Sequence, residues 1–321
     1  MPAARVPAAP APVAKLIVLG VGLIGGSFAL ALRAAGRVGE IVGVGRGEAN
    51  LATAASLGIV DRYRLLADDW PGELADADLV VVAAPVAQYP SLFAAMAGRL
   101  GAETLVTDAG STKQDVIAAA RTLPAAEFAR FVPAHPIAGT EHSGAAAAFA
   151  TLFADRNVVL TPVADTDPGA VARVGALWEC CGARLRSLPP AAHDRVFAAV
   201  SHLPHLLAFA LVDAFAVRPD RDDIFRFAAS GFRDFTRIAA SSPEMWRDIA
   251  LANRPALLQE IAAFRTQLDR VTALLETGDG TALAAVFERA RTARRAWGAA
   301  QSPPAAVPAD RPRDPPRDGE R

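Results

Sequence analysis

The residues best suited to move protons in this chain are its five histidines. An imidazole exchanges a proton near neutral pH, so what matters is where each ring is held. His135 lies in Pro133-Ala-His135-Pro136-Ile-Ala-Gly139-Thr-Glu141-His142, where Pro136 keeps it out of helical backbone. It follows a strand-like run, and a histidine at the carboxyl end of such a strand is placed to act as a general base. His193, His202 and His205 crowd a second stretch. His202 and His205 are three apart and share a helix face if Pro204 does not break the helix. No carboxylate or thiolate accompanies them at metal-ligand spacing, so no metal is expected. Ser111, in Asp108-Ala-Gly-Ser111-Thr-Lys113, is either a helix N-cap or a hydroxyl beside a substrate. Arg233, Asp234 and Arg237 follow Gly231. They form either a surface pair of little worth or, facing a cleft, a clamp for a substrate carboxylate.

The second chemical signature is a phosphate cradle. Leu16-Ile-Val-Leu-Gly20-Val-Gly22-Leu23-Ile24-Gly25 places G-x-G-x-x-G directly after an apolar strand and at the start of a helix. Gly20 permits the turn, Gly22 lets backbone approach a pyrophosphate, and Gly25 lets helix and strand pack closely. The helix N-terminus adds amide donors and positive dipole charge. Leu23, Ile24, Ala84 and Pro85 complete the expected cofactor contacts. At the end of the next strand, where an NAD enzyme commonly carries an acid for the ribose hydroxyl, the chain has Gly45 and then Arg46. The missing carboxylate leaves room for a 2′-phosphate and Arg46 offers it a fork of donors. NADP is therefore favoured over NAD, the other reading being a solvated Arg46 with Glu48 taking the ribose.

These residues need a scaffold, and the chain spells one out. Strand-like runs at Leu16–Leu19, Ile41–Val44, Leu79–Ala83, Thr104–Thr107, Phe131–Pro133, Val158–Leu160 and Arg184–Ser187 alternate with helical stretches. That alternation predicts a doubly wound, Rossmann-like α/β sheet. After Pro189-Pro190 the strand signal stops, and Ala191–Val217, Ile224–Ala240, Glu244–Ala252, Arg254–Glu276 and Thr281–Ala300 read as helices. The expected organisation is a dinucleotide-binding domain over 14–188 and a helical substrate and dimerisation domain over 189–301. The Ala/Pro-rich residues 1–13 and the Pro/Arg/Asp-rich residues 302–321 are expected to be disordered. A formal net charge of −1 leaves no electrostatic footprint for nucleic acid. No uninterrupted apolar run of bilayer length stands out, and no secretory signal is evident. The only cysteines, Cys180 and Cys181, are adjacent and ill placed to bridge each other, so a reduced cytoplasmic protein is expected.

Taken together, V-L-G-V-G-L-I-G-G-S, D-A-G-S-T-K, H-P-I-A-G-T-E-H-S-G, S-H-L-P-H, G-F-R-D-F-T-R-I-A and S-P-E-M-W-R-D-I resemble the prephenate/arogenate dehydrogenase family of tyrosine biosynthesis. They occur in family order from Lys15 to about Trp297. The resemblance implies that His135 accepts the ring hydroxyl proton as hydride leaves the same carbon, with Ser111 orienting His135 and touching that hydroxyl. It implies that Arg237 binds a substrate carboxylate, that His205 meets the side-chain end, and that His202 and His193 shape the helical wall. Glu141, Asp234 and Arg237 would form a polar gate, with Asp234 reaching across a dimer interface, and Trp246 would stand near substrate. His142 departs from the Lys of many relatives. His205 and Glu141 favour prephenate, with arogenate or dual specificity as the alternative. No appended ACT-type or chorismate mutase domain is expected after the helical part. Two rival readings fit the residues less well. A β-hydroxyacid dehydrogenase needs a catalytic Lys in its helical half, whereas Lys occurs here only at 15 and 113. A catalytically silent dinucleotide sensor would have no call for His135, Ser111 and Arg237 together.

Overall fold

The computed structural model describes residues 11–140 and 142–301. Glu141 and the two expected tails at 1–10 and 302–321 lie outside the described residues. The strands are β1 (Val13–Leu19), β2 (Val38–Gly45), β3 (Arg62–Leu65), β4 (Leu79–Val82), β5 (Leu105–Asp108), β6 (Phe131–Val132), β7 (Ala134–Pro136), β8 (Asn157–Leu160) and β9 (Arg184–Ser187). Between them run α1 (Leu23–Ala34), α2 (Glu48–Ser56), α3 (Tyr89–Met96), α4 (Gln114–Ala120), α5 (Ala125–Ala129) and α6 (Pro168–Cys180). The helical part holds α7 (Pro190–Phe197), α8 (Leu203–Ala216), α9 (Arg221–Arg226), α10 (Ser230–Thr236), α11 (Pro243–Ala252), α12 (Arg254–Glu276) and α13 (Gly280–Gln301). Two compact units result, one ending at Ile261 and one beginning at Ala262.

Six parallel strands form the main sheet in the order β3-β2-β1-β4-β5-β6. The Rossmann-like α/β class is therefore as the alternating pattern predicts. Successive residues of β1 enter opposite cores. Leu16 and Val18 join Phe28, Leu32 and Trp178, while Ile17 and Leu19 join Val80, Phe93 and Val116. A strand covered on both faces needs apolar residues throughout, which is why β1 and β4 read as unbroken apolar runs. The chain reverses direction across the sheet between β1 and β4, and that switch point opens a crevice at the strand carboxyl ends.

The structure departs from the sequence reading in five places. Val13, expected in a disordered tail, already pairs with Val38 and is buried. The runs at β8 and β9 belong to a separate sheet of order β7-β8-β9, with β7 antiparallel to β8. Pro133 divides β6 from β7, since it brings no amide to a ladder. The expected helix Ala191–Val217 contains a π turn at Ala198–His202. Pro204 cannot donate to the carbonyl four residues back and its ring crowds that group, and a single wide turn just upstream absorbs both defects. The expected helix Ile224–Ala240 is broken where Ala229 turns extended before Ser230-Gly231 and ends in a 3₁₀ turn, Arg237–Ala240. Finally, Pro190–Ala216 is 27 residues long and contains a window of mean hydropathy 1.6, enough by length and composition to cross a bilayer. The sequence reading missed it because His193, Asp194, His202 and His205 interrupt the apolar residues. Of these, His193, Asp194 and His202 are buried within the protein.

Candidate active site

The glycine loop has the shape an anion needs. Gly20 has φ +99°, and a Cβ there would lie 2.6 Å from the Ala83 carbonyl oxygen. A Cβ on Gly25 would lie 2.3 Å from the Gly20 oxygen. Gly22 differs, because a Cβ would meet nothing within 4 Å. Its side is open space at the N-cap of α1, which has neither a side-chain cap nor an acid in its first turn. The leading amides at Leu23, Ile24 and Gly25 therefore present unmatched donors and positive dipole to that opening. Ala84 and Pro85, following β4, border the same loop. These residues fit a dinucleotide pyrophosphate.

Arg46 is not a free donor at the end of β2. Its Nη1 lies 3.6 Å from Glu244 Oε1 of α11, and both side chains are more than half exposed. The first turn of α11 thus reaches the edge of the cofactor crevice. Further along the same helix, Ile249 is buried in the core around Val86 and Tyr89.

His135 is held by a chain of hydrogen bonds. Its Nδ1 is 2.9 Å from His193 Nε2, and His193 Nδ1 is 2.9 Å from Asp194 Oδ1. Asp194 also accepts the amides of Lys113 (2.8 Å) and Gln114 (2.9 Å) and the Gln114 side-chain amide (3.2 Å). Burial opposes its charge, but the bonds from His193, Gln114 and Lys113 outweigh this and hold its carboxyl below the usual range. An ionised Asp194 accepts from His193 Nδ1–H, so neutral His193 Nε2 must accept from His135 Nδ1–H. This assignment leaves the lone pair of His135 on Nε2. Burial, then the neighbouring His193 and Lys113, push the His135 pKa well below its ordinary value. The ring is therefore a neutral base near pH 7 in a single tautomer. Phe197 packs on both His135 and His193, at 4.7 and 4.4 Å between ring centroids.

Neither Asp194 nor Lys113 was singled out from sequence, yet both position the base. Lys113, fully buried, donates to Asp108 Oδ2 at 2.5 Å and to the Ala134 carbonyl at 2.7 Å. Asp108 Oδ1 accepts the Ala134 amide at 2.9 Å. One buried ion pair thus grips both backbone polar groups of the residue before His135. The adjacent His-Asp pair and the D-A-G-S-T-K segment are the signals in the sequence that point to Asp194 and Lys113. The bond that orients His135 through Nδ1 is made with His193 and not with Ser111. Nor does Ser111 cap α4, because Asp194 takes the amides at that end. Asp194→Asn should test the arrangement. An amide nitrogen facing the donors of Lys113 and Gln114 should destabilise the fold by about 1–3 kcal/mol. It should also lower kcat of the folded enzyme by about tenfold or more through the wrong His193 tautomer. Thermal melts and steady-state kinetics would check both, and unchanged values would dismiss the relay.

The remaining helical residues gather around Trp246. His205 stacks on it with centroids 3.5 Å apart, and His202 meets it edge-on at 6.2 Å. His202 Nδ1 receives the Asn253 amide at 3.0 Å, which leaves the hydrogen on Nε2. Burial pushes its pKa down to about 4, so that ring is neutral as well. Burial likewise lowers His205, and the charge of Arg237 adds to the effect while a bond to the Ser201 carbonyl opposes it. A cavity of about 210 Å³ is lined by His202, Leu206, Phe209, Pro243, Trp246 and Arg247. His202 Nε2 and Trp246 Nε1 are buried there without a protein partner. Two unmatched donors beside an apolar cavity make a setting for an aromatic-sized ligand that carries acceptors. Asp234 lies apart from this group, 79% exposed and 3.9 Å from Arg233.

The chain matches two family profiles, described as the nucleotide-binding domain of prephenate dehydrogenase over residues 28–187 and its dimerization domain over 189–289. The chain belongs to the prephenate dehydrogenase family. Among its relatives, the cyclohexadienyl dehydrogenase of Zymomonas mobilis is 36% identical over 88% of this chain and 95% of that protein. The prephenate dehydrogenase of Bacillus subtilis is 35% identical over 87% of this chain and 75% of its own length. Among solved structures of the family, prephenate dehydrogenase from A. aeolicus, in complex with hydroxyphenyl propionate and NAD+, superposes with a TM-score of 0.81. It is 34% identical, and 88% of this chain and 97% of that one are covered. Arogenate dehydrogenase of Synechocystis gives a TM-score of 0.72 at 28% identity, covering 88% and 99%.

Proposed function

We propose that this chain catalyses the oxidative decarboxylation of prephenate to 4-hydroxyphenylpyruvate, a step of tyrosine biosynthesis. The observation that carries the reading is the Asp194–His193–His135 chain, which presents a neutral, correctly tautomeric base in a protein that also carries a phosphate-binding loop. NAD(P)+, when bound by Gly20, Gly22, Leu23, Ile24, Gly25, Ala84 and Pro85, supplies the hydride acceptor. His135 Nε2 takes the proton of the ring hydroxyl as that carbon gives up hydride. The ring carboxylate then leaves as carbon dioxide, its bonding pair closing the aromatic ring. The proton held by His135 returns to the phenolate oxygen, so none is released overall. Aromatisation supplies much of the driving force, and the protein's task is position, one proton and charge matching.

Arg237 serves as the clamp for a substrate carboxylate, with His205 beside it and Ser111 within reach of the ring hydroxyl. His202 and Trp246 offer their unmatched donors to the same substrate, and Asp234 would join the gate from a second copy of the chain. Arg46 favours NADP over NAD. Arogenate is the alternative substrate, supported by the match to a cyclohexadienyl dehydrogenase. Residues 14–188 act as the dinucleotide domain and 189–301 as the substrate and dimerisation domain of a homodimer. A partner would cover the exposed Val200, Val217, Phe227 and Phe235. The free thiols at Cys180 and Cys181 fit a cytoplasmic enzyme.

The deciding experiment follows absorbance of the reduced nicotinamide with prephenate and arogenate, each against NAD+ and NADP+. Turnover with neither substrate defeats the proposal. In the same assay, Arg237→Gln should raise KM about tenfold or more, the worth of a charge-assisted hydrogen bond, with kcat changed much less. An unchanged KM would move the clamp to Arg233.

A further inference from the structure

The cofactor crevice has a charged contact that spans two parts of the chain distant in sequence. β2 ends at Gly45 without a carboxylate, and the next residue, Arg46, lies 3.6 Å from Glu244 in the first turn of α11. Glu48, at the start of α2, forms no ion pair with Arg46 among the described residues. Glu244 is not carried on a loose loop. Ile249 of the same helix is 3% exposed in the core beside Val86, Ser242 caps its N-terminus, and Trp246 is stacked on His205. The carboxylate is therefore presented to the Arg46 guanidinium by a docked helix.

We infer that Glu244 is a specificity-determining residue for the adenosine ribose of the dinucleotide, sharing Arg46 with whatever substituent the 2′ position carries. The inference rests on the reading that the ribose lies at Gly45–Arg46. A 2′-phosphate needs the guanidinium to itself, so it must displace Glu244 and tolerate a like charge near it. A 2′-hydroxyl has the opposite need. It can donate to a carboxylate, and Glu244 supplies from α11 the acid that β2 lacks. Arg46 pulls the choice toward NADP and Glu244 pulls it back toward NAD. The helix that closes the substrate cavity through Trp246 thus also sets the cofactor preference two residues earlier. The contact is more than half exposed at both partners, so the effect is a modulation and not an absolute switch.

The test is calorimetric titration of the full chain with NAD+ and with NADP+, for wild type, Glu244→Gln, Arg46→Ala and the double variant. Glu244→Gln should tighten NADP+ binding about threefold to tenfold and leave NAD+ equal or weaker. In the Arg46→Ala background the same substitution should no longer tighten NADP+, because the two residues act through one contact. Should Arg46→Ala shift the NADP+/NAD+ ratio of Kd values while Glu244→Gln leaves it unchanged, the role of Glu244 is overturned. Equal tightening in both backgrounds also overturns it, since the effect would then be general charge. If Arg46→Ala itself leaves the ratio unchanged, the ribose placement fails and the inference goes with it. Glu48→Gln is the control and should not move the ratio.

Discussion

His135→Asn should lower kcat by about two to four orders of magnitude, the usual contribution of a positioned general base. Asparagine can keep a hydrogen bond to His193 Nε2 but offers no lone pair basic enough to take the hydroxyl proton. Binding of the dinucleotide, measured separately, should be little changed, because the contacts of the ring are to His193 and Phe197 and not to glycine-loop residues. The pH dependence adds a sharper check. Burial and the neighbouring His193 and Lys113 hold the His135 pKa well below 6.5, so the base stays unprotonated as pH falls through that value. The acid limb of kcat/KM should therefore lie well below pH 6.5, and a limb centred near 6.5 would assign the proton to another group. Stability should move in step. His135, His193 and His202 all have folded pKa values below 6.5, chiefly through burial. Below that pH the unfolded chain binds more protons than the folded one, so the melting temperature should decline as pH falls through 6.5.

Lys113→Met should destabilise the protein by about 3–5 kcal/mol, the effect of leaving one partner of a buried ion pair alone. Both side chains of the Lys113–Asp108 pair are wholly buried, so water cannot take over for the missing ammonium. The Ala134 carbonyl loses a donor in the same step. Because Ala134 precedes His135, folded Lys113→Met should also lose turnover. Neutralising both partners, as Asp108→Asn with Lys113→Met, should restore part of the stability, since no uncompensated charge then stays buried. Thermal and denaturant melts of the single and double variants decide this. A single variant as stable as wild type would show that the pair contributes little.

The part of the site that could be read from the chain is the part that obeys local rules. The glycine spacing after β1 was legible because a tight turn, an open approach and a close helix–strand contact each demand glycine at one fixed offset. His135 was legible because a proline-flanked histidine after a strand has few structural uses. The partner of His135 Nδ1 was not legible, because His193 lies 58 residues further along the chain. The roles of Asp194 and Lys113 are not legible locally, because Asp194 bonds 80 and 81 residues upstream and Lys113 reaches the Ala134 carbonyl 21 residues away. Asp194 caps a helix some eighty residues upstream, a bond that no window of sequence contains. The single long helices expected around His202 and Arg237 also failed locally. Apolar periodicity continues across both segments, but Pro204 and the Ser230-Gly231 pair impose a π turn and a break that the period does not register.

The fold class, the dinucleotide loop and the candidate base follow from residue types and short-range spacing, because backbone sterics and hydrogen-bond needs act over a few residues. The base's tautomer and lowered pKa do not. They depend on a carboxylate and an imidazole from α7, a lysine before α4 and the exclusion of water, all brought together by long-range packing. The same holds for Arg46. In sequence it reads as a lone cation open to a phosphate, whereas the fold sets Glu244 of α11 3.6 Å from it. Short-range chemistry chose the groups, and burial with distant partners set their charge states and neighbours, because electrostatic energies depend on separation in space and on local dielectric, not on position along the chain.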